Sequence, residues 1–373
     1  MPATDATIPG LVGRLRPRLG LAFPRRIDRP LDLRWRLVGA GSLLTVAVFA
    51  IVLVAATSGP ARIPYEHVAA IFAQRVGLPI TGVNASERSI VENIRLPRIV
   101  AGLLVGAALG IAGGVLQGLY RNPLADPGIL GVSGGGALGA VLAIGTGLAA
   151  AHQLALPICA FTGALAAALT VAGIGLRRGG AGTSLVLAGI AVSALASAGT
   201  SAVLSLTEDR ERNQAMLYWL LGGLDNRTWT HVTLIAGPIL LGVAVCLAFS
   251  RELNLMLLGE ESAQSLGVPV PAARAMLLAV VALITGVSVA VSGIVSFVGL
   301  MVPHAVRLVV GYDHRLVLPL SALAGAGFVV GADTLARLVI QPAELRLGIV
   351  TSALGAPFFV YLILRGRHAR LGV

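Results

Sequence analysis

The sequence predicts an all-α polytopic membrane protein with ten transmembrane helices. Hydrophobic residues make up 56% of the 373 residues and charged residues only 12%, about half the share that soluble domains carry. Too few charges are present to cover several soluble cores. A series of long charge-free runs and an arginine-rich stretch at each end of the chain support the same fold class.

Each run is long enough to cross a bilayer, which takes about 20 apolar residues in a helix. The runs of this order lie at 37–57, 99–120, 128–151, 154–176, 183–206, 232–250 and 347–364, and a further one at 316–332 continues past Asp333.

The remaining stretch, 275–303, has no Asp, Glu, Arg or His, and apolar sequence continues to Val310. It is too long for one helix. We expect Pro303 to break it near its middle, with Gly293 and Gly299 loosening it further.

The two basic ends set the number of spans. Since arginine is retained on the cytoplasmic side, both termini should be cytoplasmic, and the number of spans should be even: ten rather than nine. The predicted organisation is a basic tail at 1–36, a transmembrane domain at 37–364 with a cytoplasmic segment at 251–274, and a C-terminal tail at 365–373. The first tail is too long and proline-broken for a signal peptide.

The composition also excludes several chemistries. All 28 basic residues are arginine, so the chain lacks the lysine of a P-loop and the lysine of a Schiff base. Eight arginines precede the first apolar run and three follow the last one, rather than forming one cluster, which argues against nucleic acid. Cys159 and Cys246 each lie inside an apolar run, and we expect inert thiols there rather than a disulfide or a metal site.

A weak internal repeat is visible at an offset of 180 residues. It pairs Gly106 with Gly286, Gly113 with Gly293, Val115 with Val295 and Pro123 with Pro303. The offset maps span two onto span seven, which runs in the opposite direction, as an inverted repeat of helices 2–5 and 7–10 requires. Chance matches in glycine-rich sequence are the alternative.

The most informative motif surrounds span two. It reads R-L-P-R at Arg95–Arg98, then the apolar span, then Q-G-L-Y-R-N-P-L-A-D-P-G at Gln117–Gly128. Pro97 suits the first turn of a helix. Asn-Pro and Asp-Pro pairs in the second block end one helix and begin the next, which predicts a short, stiff cytoplasmic loop.

With five further blocks, this motif resembles the FecCD-like permeases of type II ABC importers for vitamin B12, haem and ferric siderophores. The blocks are Met216–Gly223 (M-L-Y-W-L-L-G-G), Leu257–Gly267 (L-L-G-E-E-S-A-Q-S-L-G), Gly299–Arg307 (G-L-M-V-P-H-A-V-R), Ala332–Arg337 (A-D-T-L-A-R) and Thr351–Pro357 (T-S-A-L-G-A-P). The resemblance covers all of the chain except its N-terminal tail.

The resemblance implies a homodimer of ten-span subunits in the bacterial inner membrane, with the pathway between the subunits. It implies as partners two copies of a cytoplasmic ATPase, which bind ATP and Mg²⁺, and one periplasmic binding protein. The chain itself then binds no cofactor or metal and is not an enzyme. The implied cargo is an iron chelate, haem first, on the block Leu253–Glu261 and Trp219; ferric siderophore or cobalamin is the alternative. Span five, rich in small residues at Ala194–Ser205, would line the pathway.

The segment between spans six and seven carries an amphipathic pattern. Leucines and Ala263 interleave with Glu260, Glu261 and Gln264, which predicts a short helix closed by Gly267 and Pro269. A helix lying on lipid would carry basic residues, and this helix has none. The resemblance makes it the coupling helix that docks on the ATPase, and the residues concerned are Leu258, Gly259, Glu260, Glu261, Ala263, Leu266 and Gly267.

Three outer arginines are candidates for docking. Arg95 and Arg98 lie just before span two, and Arg337 lies near the outer end of span nine. The resemblance implies that they receive glutamates from the binding protein, with charge complementarity steering the encounter. The alternatives are snorkelling to headgroups and, for Arg337, an intrahelical pair with Asp333.

Four inner residues are candidates for the cytoplasmic gate. The resemblance implies a gate around the dimer axis formed by Asn122, Leu124, Thr183 and Ser184. For Thr183 and Ser184 the alternative is a plain N-cap of span five.

Two other classes of function have less support. An ion-coupled secondary transporter needs charged residues at mid-membrane, and Asp333 with its neighbouring arginine is the one candidate. An intramembrane enzyme needs a paired carboxylate, a Ser/His pair or a ligand set within the spans, and the sequence shows none. His304, which follows Pro303, suits a packing or capping role better than a haem ligand.

Overall fold

A computed structural model describes residues 30–59, 61–75, 82–177, 182–340 and 343–368, and within these ranges every regular element is helical. Most of the N-terminal tail and the last five residues lie outside them. In chain order the elements are α1 (Pro30–Thr57), α2 (Tyr65–Arg75), α3 (Ala85–Ser89), a π-helical turn (Ile90–Arg95), α4 (Leu96–Leu119), a 3₁₀ turn (Pro127–Leu130), α5 (Val132–Gly145), α6 (Leu148–Ala151), α7 (Ala155–Arg177), α8 (Gly182–Leu206), α9 (Arg210–Leu220), α10 (Trp229–Ala248), α11 (Ser250–Met256), α12 (Glu260–Ser265), α13 (Val270–Ser292), α14 (Val298–Val310), α15 (His314–Leu338) and α16 (Leu347–His368).

The all-α polytopic prediction is confirmed. In the described part of the chain, seven helical stretches are long and apolar enough to cross a membrane: Leu37–Thr57, Ala85–Leu119, Ala155–Ile174, Leu185–Leu206, Trp229–Ala248, Val270–Ser292 and His314–Leu338. Three shorter apolar helices are Val132–Gly145, Val298–Val310 and Leu347–Leu362. The count of ten stays a prediction, because it depends on whether these three also cross.

The long apolar stretch divides into two helices, but the prediction that Pro303 divides it was wrong. Helix α13 ends at Ser292, and the chain turns through Gly293 (φ 65°) and Phe297 (φ 69°) before α14 begins. Pro303 lies inside α14.

A contact from another helix compensates for the proline. Pro303 has no N–H to donate to the Gly299 carbonyl one turn earlier. The Gln117 side chain of α4 donates to that carbonyl at 3.3 Å and to the Leu300 carbonyl at 3.1 Å. The helix therefore continues through the proline instead of ending there.

Span two begins earlier than predicted. Asn84 caps α3, and the helix continues through the π-helical turn into α4. The N–H of Leu96 bonds to the Val91 carbonyl, five residues back. Pro97 follows this wider turn and lies in the first turn of α4, as predicted.

Small residues let the central helices approach closely. Helix α4 packs against α15, α14, α13 and α10. A Cβ atom on Gly106 would lie 2.2 Å from the Gly325 carbonyl oxygen of α15, and one on Gly113 would lie 1.8 Å from the Gly299 carbonyl oxygen of α14. Such close backbone contact drives helix association in lipid, where apolar burial contributes little.

The helix packing supports the predicted inverted repeat. If α4, α5, α7 and α8 map onto α13, α14, α15 and α16, contacting pairs in the first half recur in the second. The matched contacts are α5–α7 with α14–α15, α5–α8 with α14–α16, α7–α8 with α15–α16, α4–α15 with α13–α7, and α4–α14 with α13–α5. The 180-residue offset does not hold residue by residue, since Pro123 lies in a loop and Pro303 lies inside α14.

Candidate functional site

Five charged residues, Arg95, Arg98, Asp333, Arg337 and Glu344, form a cluster between the start of α4, the end of α15 and the loop before α16, on the side of the molecule that is predicted to be outer. Nε and Nη2 of Arg98 donate to the two oxygens of Asp333, each at 2.9 Å. Nη1 of Arg98 donates to Glu344 at 2.9 Å. Arg337 also pairs with Asp333, at 3.4 Å. The intrahelical pair therefore exists, but Arg98 is the nearer partner of Asp333.

Arg95 and Arg337 cap the end of α1. The last turn of a helix has carbonyls without partners and a partial negative charge. Arg95 and Arg337 donate to carbonyls in and just after this turn, and the acceptors are Ala55, Ala56, Ser58 and Ala61. Each arginine is only 5% exposed. These two guanidinium groups thus hold α1 against α4 and α15.

The three predicted docking arginines therefore lie together, as a shared docking surface requires, but point mostly inward. Arg98 is the one that binds a partly exposed carboxylate, that of Glu344. Neither Glu344 nor the α1 carbonyls could be predicted as partners, because Glu344 lies 246 residues from Arg98 and the α1 carbonyls lie far along the chain from Arg95 and Arg337. Docking stays a prediction for all three.

A second outer ion pair was missed for the same reason. Arg346 donates to Asp225 at 2.8 Å, and its guanidinium lies 4.2 Å from the centre of the Tyr218 ring. Burial raises the pKa of the Asp225 carboxyl, but the hydrogen bond and charge of Arg346 bring it below its usual range.

One of the sequence blocks, Met216–Gly223, makes backbone contacts with two other parts of the chain near this pair. The N–H of Gly223 donates to the Ser292 carbonyl at 2.8 Å, and the N–H of Gly348 donates to the Leu221 carbonyl at 3.1 Å. A Cβ on Gly222, whose φ is 68°, would lie 2.2 Å from the Ile294 carbonyl oxygen. The L-L-G-G block therefore joins the break between α13 and α14 to the start of α16.

The loop between α4 and α5 is short, as predicted, and contains local hydrogen bonds. The Asn122 side chain accepts from the N–H of Leu124 at 2.9 Å, and the N–H of Asn122 bonds to the Gln117 carbonyl at 3.2 Å. Leu124 is half exposed. Thr183 and Ser184 lie in the first turn of α8, and their side chains fall outside the described part of the structure. The gate stays a prediction.

The segment predicted at 251–274, which we call the coupling segment, contains two short helices, α11 and α12, where one helix was predicted. Gly259, at φ 114°, separates α11 from α12, so Leu258 lies in the turn between them rather than on the helix. Glu260 pairs with Arg274 of α13. Ala263 is fully buried. Gly267 follows the end of helix α12, as predicted. Its φ of 86° lies in the left-handed region, which favours glycine after a helix.

The exposed side of this segment carries leucines among polar residues. Leu258 is 64% exposed and Leu266 is 59% exposed, while Glu261 beside them is also exposed. Two exposed leucines next to a carboxylate suit a protein surface with a hydrophobic groove.

Helix α8 presents small residues on one exposed face. Positions separated by three or four residues share a face of a helix. From Ala194 onward the exposed members of this face are Ala194, Ser197, Ala198, Ser201 and Ser205, and nearer the start of the helix the exposed Leu187 and Ile190 continue it.

The geometry agrees with a comparison against protein families. The model of the FecCD transport family matches residues 44–365. The chain belongs to the FecCD transport family. This membership confirms the resemblance carried by the sequence blocks.

Curated relatives of this FecCD-family chain are permeases. The cobalamin import system permease protein BtuC of Halobacterium salinarum is 49% identical over 290 residues, which cover 78% of this chain and 77% of the relative. The hemin transport system permease protein HmuU of Yersinia pestis is 42% identical over 297 residues, which cover 78% of this chain and 88% of the relative.

Solved structures share the fold. The structure of an inward-facing metal-chelate type ABC transporter matches with a TM-score of 0.77 and 29% identity, over 89% of this chain and 99% of that one. PsaBC from Streptococcus pneumoniae matches with a TM-score of 0.51 and 16% identity, over 79% of this chain and 94% of that one, which shows the fold alone.

Proposed function

We propose that this FecCD-family chain is the permease subunit of an ABC importer, which moves a metal chelate from a periplasmic binding protein into the cytoplasm. The observation that carries the proposal is the family match over residues 44–365, together with relatives named for cobalamin and hemin transport. ATP hydrolysis in a separate subunit supplies the energy, since the chain has no lysine for a P-loop of its own.

The proposed assembly is a homodimer in the bacterial inner membrane with both termini cytoplasmic. Two ATPase subunits carry ATP and Mg²⁺, one binding protein docks outside, and this chain holds no cofactor. The small-residue face of α8 lines the pathway between the two copies. Alanine and serine offer weak, replaceable contacts, which suit a cargo that has to be released.

For the cargo we propose a metal tetrapyrrole, with cobalamin as the first candidate. The identity of 49% to a permease named for cobalamin, against 42% to one named for hemin, moves cobalamin ahead of haem, the first expectation from sequence. Reconstituted uptake of labelled cobalamin, with unlabelled haem and a ferric siderophore as competitors, tests this order. Uptake of labelled haem that cobalamin does not inhibit would reverse it.

For docking we propose that a carboxylate of the binding protein replaces Glu344 on Arg98. Arg98 is already placed by Asp333, and Arg95 and Arg337 hold the surrounding backbone. Glu344→Gln should therefore free Arg98 and raise the affinity for the binding protein, measured as its binding to permease immobilised on a surface. Glu66→Gln on the outer helix α2 should leave this affinity unchanged. An unchanged affinity for Glu344→Gln would remove Arg98 from the docking surface.

A secondary transporter has less support. Asp333, its one candidate for ion coupling, is bound by Arg98 at 2.9 Å and paired with Arg337. A carboxylate already paired with two guanidinium groups has little capacity left to bind a transported ion.

A further inference from the structure

A polar link connects the coupling segment to the start of α15. Its members are Asn254 of α11, Asp313, which caps α15, and His314, the first residue of α15; we call them the inner link. Helix α11 packs against α12, α15 and α4. The inner link therefore lies where the coupling segment meets the transmembrane helices.

Both polar atoms of the Asn254 side chain form hydrogen bonds. Its Oδ1 accepts from the main-chain N–H of His314 at 2.8 Å and lies 2.9 Å from Nδ1 of that ring. Its Nδ2 donates to Asp313 Oδ1 at 2.6 Å. Because a main-chain donor faces one end and a carboxylate faces the other, the orientation of the amide is fixed, and Nδ1 of His314 carries the hydrogen.

Asp313 joins this amide to the backbone of α15. The same Oδ1 that accepts from Asn254 also accepts from the N–H of Arg315 at 2.9 Å, as an N-cap does. Movement of Asn254 therefore acts on the first turn of α15 and not only on a side chain.

The His314 ring extends the link to α4. The residue is 1% exposed, and a Cβ on Gly118 would lie 2.4 Å from its Nε2. Gly118 belongs to the last turn of α4, and the loop with Asn122 and Leu124 follows directly. One buried ring therefore contacts the helix end that carries the predicted gate loop.

We propose that Asn254 is a positioning residue that transmits movement of the coupling segment to α15 and to the end of α4. This inference rests on the proposed function, since it needs an ATPase that moves the coupling segment. The other connection of that segment, Glu260 with Arg274, leads to α13. The two connections thus reach different helices.

The test is a double-mutant cycle on Asn254 and Asp313, which isolates the interaction between them. Asn254→Asp places a second carboxylate against Asp313 while it keeps the acceptor for His314. Asp313→Asn keeps the N-cap oxygen, so it is the matched control. The double variant has one carboxylate at this contact instead of two, so the charge repulsion introduced by Asn254→Asp is relieved.

The readout is labelled cobalamin imported per ATP hydrolysed in proteoliposomes that contain the ATPase and the binding protein. We expect Asn254→Asp to lower this ratio about tenfold, a size typical of couplings changed by linking residues. Asp313→Asn and the double variant should stay within about twofold of wild type. Where Asn254→Asp does not assemble, Asn254→Ala gives the same readout without the added charge.

Two results would overturn the proposal. The first is an unchanged ratio in Asn254→Asp or, where that variant does not assemble, in Asn254→Ala; equal losses of transport and ATP hydrolysis give this result and indicate a structural role alone. The second is a double variant as defective as Asn254→Asp. Wild-type complex that shows no ATP-driven import would instead contradict the proposed function, so the two failures are distinguishable.

Discussion

At the scale of single residues, Gln117 supports both a helix and a buried cation. It donates to two carbonyls of α14 near Pro303, and its Oε1 accepts from Arg307, which is itself buried. Gln117→Leu removes the donor to the Gly299 carbonyl and the acceptor for Nη1 of Arg307, whose Nη2 still donates to the Gly114 carbonyl at 3.1 Å; the cost should be about 3 kcal/mol. Thermal unfolding in detergent should show a lower Tm for Gln117→Leu and little change for the exposed Gln264→Leu. Equal values would mean that α14 does not depend on this side chain.

The two arginine caps make a different prediction at the same scale. Arg95→Gln removes a guanidinium that binds two carbonyls at the end of α1. Amide hydrogen exchange should then rise over residues 54–59, because the α1 end loses its partners. Arg88→Gln, which removes a surface pair with Glu92 at 3.7 Å, is the control. If exchange is unchanged in Arg95→Gln, that arginine is free to serve docking.

The ion pair of Asp225 and Arg346 makes stability depend on pH. The folded-state pKa of the Asp225 carboxyl is below its ordinary value. The stabilisation by the ion pair is therefore fully present above the unfolded pKa of about 3.9 and is lost as pH falls through the folded-state pKa. The Tm should therefore fall more steeply below about pH 4 in wild type than in Asp225→Asn. Parallel Tm profiles would show that the pair contributes nothing.

At the scale of elements, the coupling segment predicts a surface defect without a folding defect. Leu258→Ser and Leu266→Ser change side chains that are already exposed, so stability should change by less than about 0.5 kcal/mol. Co-purification of the ATPase should fall sharply. Leu217→Ser, the same change at an exposed leucine of the outer helix α9, should leave co-purification intact. Undiminished co-purification of the leucine variants would place the ATPase contact elsewhere.

The elements also mark the limit of what sequence predicts. Long charge-free runs predicted the helices, because composition alone decides whether a segment can lie in lipid. The effect of Pro303 could not be predicted, since its partner Gln117 lies far along the chain. The outer arginines were found by motif, yet their inward orientation depends on α1 carbonyls that carry no sequence signal. The Gly259 break was visible only as a glycine within an amphipathic pattern.

At the scale of the whole molecule, the count of ten spans depends on the three short helices. Helix α14 has 13 residues and so a length of about 20 Å, less than the ~30 Å hydrocarbon core.

For α5, single cysteines replacing Arg121 and His152 in a cysteine-free background test whether the helix crosses the membrane. A membrane-impermeant thiol reagent should label position 152 from outside and position 121 only after permeabilisation. Labelling of both from one side would remove a span.

The central claim is that this FecCD-family chain transports only with the energy of a separate ATPase. The most direct measurement is cobalamin uptake into proteoliposomes that contain the permease with or without the ATPase, with the binding protein present. ATP-dependent uptake should occur only with the ATPase, and a protonophore should not abolish it. Uptake by the permease alone that collapses with the proton gradient would contradict the claim.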